Sequence, residues 1–108
     1  MNSNVCPNIE FAFGLLGKRW NGVIIHVLMD EPKRFKDFSG MIPGISQKML
    51  SERLKELEVS GLIEREVIPE TPVKVIYKLT KKGKGLENVM KEVQLWAQDY
   101  CEKQGDLE

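Results

Sequence analysis

Polar and basic side chains between residues 46 and 55 occupy the N-terminal end of a predicted α-helix and one of its faces. Each of them can form hydrogen bonds; they are Ser46, Gln47, Lys48, Ser51 and Lys55. The opposite face of the same helix carries three leucines, which are Leu50, Leu54 and Leu57. Gln can pair with adenine, Lys can reach the acceptor atoms of guanine, and Ser can bind a base or a phosphate. This segment therefore offers recognition of a nucleic acid rather than catalysis. A solvated amphipathic helix without a specific role is the alternative.

The remaining basic candidates lie outside this segment, where they could bind backbone phosphates. They are Arg34 and Lys36 at the start of a predicted helix, and Arg65 and Lys74 on two predicted strands. The chain of 108 residues has no net charge, but residues 18 to 84 contain 14 Lys and Arg against 9 Asp and Glu, a net charge of +5. Residues 85 to 108 carry a net charge of −4. A basic centre with acidic ends is typical of a surface that faces DNA, although lysine-rich solvated faces are also common.

Cys6 is the candidate for redox or nucleophilic chemistry. It precedes Pro7, which suits the first position of a helix, so its sulfur would lie at a helix N-terminus that favours the thiolate form. A small residue buried at a subunit interface is the alternative. Cys101 is interpreted as an incidental thiol and His26 as structural. Neither an enzyme nor a metal site is expected, since no base lies beside Cys6 and no ligand spacing is present, and no cofactor is expected.

Hydrophobic spacing and breaker residues predict the elements that position these side chains. Four helices are expected, at residues 7–17, 18–29 and 34–41 and from the N-cap Ser46 to Ser60. Two strands follow at residues 62–68 and 73–79, and Thr80 then caps a last helix of about twenty residues. The expected fold class is mostly α with a small β-hairpin. In this interpretation the chain is a winged helix-turn-helix with an added C-terminal dimerisation helix.

One domain is expected to span residues 1–108, with the winged-helix core at about 7–84 and the dimerisation helix at about 80–101. Apolar residues of the last helix recur at three- and four-residue spacing, and they would pair two subunits together with the first helix. The predicted dimer interface comprises Ile9, Phe13, Leu86, Val89, Val93, Trp96 and Tyr100. Packing of the last helix on the first within one chain is the alternative. No stretch suits a signal peptide or a membrane span, so a cytoplasmic protein is expected.

Several motifs resemble the HxlR-type winged-helix transcriptional regulators, and the resemblance covers about residues 5 to 101. These motifs are Cys-Pro at 6 to 7, Gly-Lys-Arg-Trp at 17 to 20, Arg-Phe-Lys-Asp-Phe at 34 to 38, and Pro-Gly-Ile-Ser-Gln-Lys-Met-Leu at 43 to 50. The resemblance implies a small homodimeric bacterial DNA-binding regulator. It also implies that a Cys-Pro cysteine serves as a redox or electrophile sensor in some relatives. One position departs from the pattern, since Ile76 stands before Tyr77 where the family commonly carries an acidic residue.

The sequence thus predicts a sequence-specific transcriptional regulator that binds a double-stranded palindromic operator as a homodimer. A response to oxidants or electrophiles through Cys6 is a further hypothesis, and the small-molecule effector is left open. A winged-helix protein-interaction module without DNA binding is the alternative. Such a module would tolerate acidic residues on the exposed face of the fourth helix, where Glu52 is the only one in the first two turns.

Overall fold

The computed structural model describes residues 5–101, in which six helices flank a two-stranded antiparallel sheet. The elements are α1 (Pro7–Leu16), α2 (Asn21–Val27), α3 (Phe35–Met41), α4 (Gln47–Val59), β1 (Ile63–Ile68), β2 (Lys74–Leu79), α5 (Lys81–Lys84) and α6 (Glu87–Tyr100). A tight turn separates α3 from α4, and the hairpin follows α4 directly. This order confirms the mostly helical winged helix-turn-helix expected from the sequence.

The segment between α1 and α2 is a turn, so the prediction that the second helix begins at residue 18 was wrong. α1 ends where the Gly17 N–H donates to the Phe13 carbonyl at 2.8 Å, and α2 begins three residues later than expected, at Asn21. Trp20 lies between them with φ of 80°, in the left-handed region that a large side chain rarely adopts. A helix cannot pass through a residue with this backbone conformation.

Both ends of α4 follow the sequence signals. Ser46 is the N-cap, and its Oγ accepts a hydrogen bond from the Met49 N–H at 3.0 Å. Gly61 has φ of 80° just beyond the helix, and the Leu62 N–H donates to the Leu57 carbonyl at 3.0 Å. This pairing ends the helix and directs the chain into β1.

The core lies between α2, α3, α4 and the base of the hairpin. The predicted leucine face of α4 is buried, since Leu50, Leu54 and Leu57 are at most 2% exposed. The other large, fully buried apolar side chains in the described chain are Ile24, Ile25, Phe38 and Ile63. Phe38 also meets the edge of Tyr77 in the hairpin. The recognition helix predicted from the sequence is therefore fixed on its apolar side and free on its polar side.

Lys33 joins the start of α3 to the hairpin. β1 and β2 pair in antiparallel register from Ile63 with Leu79 to Ile68 with Lys74. The Lys33 N–H donates to the Tyr77 carbonyl at 2.9 Å, and the Tyr77 N–H donates to the Lys33 carbonyl at 2.7 Å. This bridge makes Lys33 a one-residue third strand beside β2.

The C-terminal helix is divided, so the prediction of one continuous helix from Thr80 was wrong. Thr80 caps α5 as expected, with its Oγ1 accepting from the Gly83 N–H at 3.1 Å. The helix stops at Gly85, and α6 begins after Leu86, which is half-buried against the core. None of the helices in the described range is long and apolar enough to cross a membrane.

Candidate nucleic-acid interface

The polar face of α4 is open to solvent along its first half. All five predicted contact residues are exposed, namely Ser46, Gln47, Lys48, Ser51 and Lys55. The Ser46 Oγ is an acceptor for the helix N-terminus, so its O–H remains available to donate. The face carries two cations and one exposed carboxylate, Glu52. This helix can present hydrogen-bonding groups to the edges of base pairs.

The bridge at Lys33 brings three of the predicted phosphate-binding residues together. Arg34 and Lys36 at the start of α3 and Lys74 on β2 line one open cleft of about 750 Å³. The carboxylates in the cleft wall already have partners. Asp30 and Glu31 lie 3.2 Å and 3.5 Å from the Lys33 Nζ, and the Asp37 Oδ2 accepts from the Arg34 N–H at 2.8 Å. Four cations line the cleft against three carboxylates, and of the four only Lys33 forms an ion pair with these acids.

Arg65 stands apart from this group. It lies on β1 opposite Tyr77, is exposed, and does not line the cleft. The structure thus separates Arg65 from Lys74, which the sequence grouped together as wing residues.

Some basic residues pair with carboxylates and others do not. Within residues 5–101, none of the six predicted DNA-binding cations forms an ion pair; they are Arg34, Lys36, Lys48, Lys55, Arg65 and Lys74. Within the described part of the chain, Arg19, Lys81, Lys82 and Lys84 also form no ion pair, although they were not predicted to bind DNA. The cations that do form ion pairs are Lys18, Lys33, Arg53, Lys78 and Lys91. Lys78 is an example: hydrogen bonding to Glu66, with a smaller effect from Glu64, raises its pKa above the ordinary value.

Arg53 is a polar residue of α4 that sequence reasoning missed. Its Nε–H donates to the Arg19 carbonyl at 3.0 Å, and its Nη1 lies 3.1 Å from Glu56. Glu56 also accepts from Lys18 at 3.0 Å, and this hydrogen bond lowers the pKa of the Glu56 carboxyl below its ordinary value. The three-residue spacing of Arg53 and Glu56 is visible in the sequence, but their partners in the α1–α2 turn are not.

Apolar side chains remain exposed along α1 and α6. Of the predicted dimer-interface residues, six are 43% to 73% exposed, namely Ile9, Phe13, Val89, Val93, Trp96 and Tyr100. Leu86 differs, because it packs against the core of its own chain. Trp96 and Tyr100 contact each other, with ring centroids 5.6 Å apart. Neither helix has a buried residue, so both present an apolar surface outward.

Cys6 is the N-cap residue of α1 and is exposed, as the Cys-Pro sequence predicts. Cys101, at the end of α6, is also an exposed free thiol. His26 is exposed on α2. Among residues 5–101, no three His, Cys, Asp or Glu side chains come together as a metal site would require.

A helix-turn-helix whose second helix shows exposed hydrogen-bonding residues, with unpaired cations and a β-hairpin beside it, defines a winged-helix DNA-binding domain. The chain belongs to the HxlR-like helix-turn-helix family, whose sequence profile matches residues 15–105. Proteins of this kind are transcriptional regulators, as the similar proteins described next illustrate.

The chain is 64% identical over 102 residues to the HTH-type transcriptional regulator YodB of Bacillus subtilis strain 168, a match that covers 94% of this chain and 91% of YodB. The reduced form of B. subtilis YodB superimposes with a TM-score of 0.81 at 65% identity, covering 91% of this chain and 96% of that one. The redox regulator HypR in its oxidised form gives a TM-score of 0.84 at 36% identity, covering 91% and 100%. YodB has also been solved after diamide treatment and with quinone bound.

Proposed function

We propose that this regulator binds a palindromic operator as a homodimer, with α4 of each subunit in a major groove. The observation that carries the proposal is the exposed polar face of α4 with unpaired cations beside it on α3 and the hairpin. Non-specific affinity for DNA comes from such cations, and specificity comes from groups that reach base edges. A regulator of transcription acts where the chromosome lies, which is the cytoplasm of a bacterium.

The base contacts are assigned to the first half of α4. Recognition helices read base edges mainly through their N-terminal residues. Gln47, Lys48 and Ser51 lie in the first two turns, and Lys55 lies one turn further on, where a phosphate is the nearer partner. Ser46 donates its O–H to a phosphate while its oxygen continues to cap the helix.

The backbone contacts are assigned to two groups. Arg34, Lys36 and Lys74 bind one phosphate region across the cleft between α3 and β2. Arg65 binds a separate phosphate from the exposed side of β1. Such contacts orient the protein on the duplex and do not depend on base sequence.

The homodimer is assigned to α1 and α6. A single small chain gains little by exposing residues such as Phe13, Trp96 and Tyr100, which are 64% to 73% exposed. Their burial against a second copy would remove this apolar surface from water. Two-fold symmetry then places two copies of α4 on one side of the duplex, with half-site centres about 34–36 Å apart or a multiple of that distance.

A thiol response is assigned to Cys6. The residue is exposed at the N-cap of α1, where an oxidant or electrophile can reach its sulfur. An adduct at this position would lie beside the proposed dimer interface and change the relative position of the subunits. YodB, which is 64% identical, has been solved in reduced, diamide-treated and quinone-bound forms, and this supports a response of the present chain to oxidants and quinones.

The test starts with selection of bound fragments from random-sequence DNA, followed by affinity measurements on the selected site. Lys48→Ala should cost roughly 1–3 kcal/mol and relax the preference at one base pair in each half-site. Lys74→Ala should weaken binding to all sequences alike and reduce the salt dependence by about one unit of slope.

Lys78→Ala is the matched control, because this lysine of β2 is already paired with Glu66. It should change affinity and specificity little. Failure to select any DNA, or equal losses of specificity from Lys48→Ala and Lys74→Ala, would contradict the proposal.

A further inference from the structure

The direction of α1 is set where its last turn meets the body of the chain. No residue of α1 is buried, and its side chains that pack against the core are the half-buried Leu15 and Leu16. The Asn21 side chain, itself 1% exposed, donates through Nδ2 to the Leu15 carbonyl at 2.8 Å. The turn at residues 17–20 lies between these contacts, so its conformation determines where the rest of α1 points.

Two residues of α4 hold this turn in place. The Arg53 side chain is only 11% exposed, and its Nε–H donates to the Arg19 carbonyl at 3.0 Å. The Glu56 carboxylate forms ion pairs with the Arg53 Nη1 at 3.1 Å and with the Lys18 Nζ at 3.0 Å. A planar guanidinium that bridges a carbonyl and a carboxylate fixes the orientation of both groups. α4 is thus connected directly to the turn that directs α1.

The turn at residues 17–20 also lies close to the turn that precedes α4. A Cβ at Gly44, in the turn before α4, would lie 3.7 Å from the Cη2 atom of Trp20. The Arg19 guanidinium lies 4.5 Å from the centroid of the Trp20 ring. Trp20 itself has φ of 80°, a backbone conformation that the surrounding contacts must maintain. Arg53 and Glu56 of α4 therefore contact this turn directly, and Gly44, in the turn before α4, lies beside Trp20.

We propose that Arg53 and Glu56 are positioning residues that fix the angle between α1 and α4, and through it the separation of the two recognition helices in the dimer. The inference rests on the proposed function, because α1 must lie in the dimer interface for the angle to reach the partner. Adding one base pair between half-sites rotates one of them by about 34–36° around the duplex. If the angle between α1 and α4 is fixed, the dimer should bind one half-site spacing much more tightly than the others. If the angle can vary, the affinity should differ less between spacings.

The first experiment measures this dependence on spacing with the full chain. An operator selected by the wild-type protein is rebuilt with its centre lengthened or shortened by one and two base pairs, and affinities are measured by mobility shift. The variants are Arg53→Lys, which keeps the charge but loses the guanidinium geometry, and Glu56→Gln. Glu58→Gln is the control, since it is an exposed glutamate two positions further along the same helix.

Wild type and Glu58→Gln should share one preferred spacing. Arg53→Lys and Glu56→Gln should lose about threefold to tenfold at that spacing and should discriminate less among the others. An equal loss at every spacing would indicate only a weakened fold and would overturn the inference. Absence of wild-type binding to any selected DNA would instead contradict the proposed function.

A second measurement keeps the inference testable without DNA. In a Cys6→Ser, Cys101→Ser background, a spin label at Lys55→Cys reports the distance between the two copies of α4 by pulsed electron resonance. The wild-type arrangement should give one narrow distance distribution, which Arg53→Lys and Glu56→Gln broaden or shift. A narrow, unchanged distribution in both variants would refute a positioning role. Absence of any inter-subunit distance in the protein with native Arg53 and Glu56 would instead contradict the proposed homodimer.

Discussion

Lys33 shows how one buried residue can hold a loop against the hairpin. Its backbone pairs with Tyr77, its side chain is 6% exposed, and its ammonium group lies 3.2 Å from Asp30 and 3.5 Å from Glu31. A buried ammonium needs such partners, because an unpaired charge in this place would be strongly destabilising. The hydrogen bond from Lys33 lowers the pKa of Asp30 below its ordinary value of 3.8.

This pairing predicts a pH-dependent effect of Asp30→Asn. The folded-state pKa of Asp30 is the lower one, so the stabilisation is fully present above the unfolded value near 3.8 and is lost as pH falls through the folded value. Asp30→Asn should therefore lower the unfolding temperature at neutral pH, and the difference from wild type should shrink as the pH falls below 3.8. Glu70→Gln, on the exposed loop of the hairpin, is the control and should show no such gap. A gap that is constant with pH would contradict the prediction.

Cys6 gives a second prediction at the scale of one residue. A bulky or charged adduct at the start of α1 should tilt that helix, shift the subunits and change the spacing of the two copies of α4. Diamide or a quinone should therefore alter operator binding by the wild type, whereas Cys6→Ser should bind like the reduced protein in either condition. Cys101→Ser tests whether the second thiol contributes. If treated wild type and treated Cys6→Ser bind operator alike, Cys6 is only a packing residue.

At the scale of elements, α5 packs so closely on the start of β1 that it requires glycine. A Cβ at Gly83 would overlap the Leu62 carbonyl oxygen and stand 3.0 Å from Leu79. Gly83→Ala should destabilise the fold by about 1–3 kcal/mol, because the backbone must shift to admit the methyl group. Gly40 in α3 has open space around it, so Gly40→Ala should be neutral or stabilise by up to about 1 kcal/mol. Urea unfolding measures both, and a change of the same sign in the two variants would contradict this account.

Elements set by local signals were predictable from the sequence. Neighbouring residues predict the cap at Ser46, the glycine after α4 and the position of β2, and the structure confirms all three. Burial along β2 does not follow the predicted alternation, since its residues are half-buried up to the buried Leu79. The helical spacing of apolar residues predicted the wrong start for α2, because Trp20 has a left-handed backbone conformation that this spacing does not reveal. The same spacing predicted one continuous helix after Thr80, whereas the chain breaks the helix at Leu86, which packs against the core.

The candidate site was predictable to a similar extent. The polar face of α4 is exposed because the leucines on the opposite face are buried. The helical period alone therefore identified the exposed polar residues. The cleft that joins Arg34 and Lys36 to Lys74 depends on the backbone bridge between Lys33 and Tyr77. Arg53 depends on a carbonyl 34 residues away. Neither the Lys33–Tyr77 bridge nor the Arg53–Arg19 hydrogen bond produces a periodic pattern in the sequence.

At the scale of the whole molecule, the two proposed functions, DNA binding and dimerisation, are assigned to different surfaces. Polar and basic side chains are exposed on α3, α4 and the hairpin, whereas the exposed aromatic side chains lie on α1 and α6. Single apolar side chains, namely Met41, Val59 and Val67, are also exposed on α3, α4 and β1. The turn at residues 17–20 is the covalent connection between α1 and the rest of the fold. A change in how two subunits meet can therefore reach the DNA-facing helices without altering the core.

The separation of surfaces predicts that dimerisation can be abolished without unfolding the chain. Val93 is 57% exposed on α6, so Val93→Glu should change the stability of a single chain by no more than about 0.5 kcal/mol. In the proposed interface the same carboxylate would be buried against apolar side chains, and the dimer should dissociate. Operator affinity should then fall by about a hundredfold or more, because each half-site must be bound independently.

Val59→Glu is the matched control for this test. Val59 is 84% exposed at the end of α4, on a different surface from the α1 and α6 faces, so the same substitution there should leave the dimer intact. Sedimentation measures the oligomeric state, and circular dichroism checks that both variants remain helical. A Val93→Glu protein that stays dimeric, or a wild type that is already monomeric, would show that α6 does not pair the subunits. Dissociation of both variants would show instead that the interface extends to α4, which would leave its polar face unable to enter a groove.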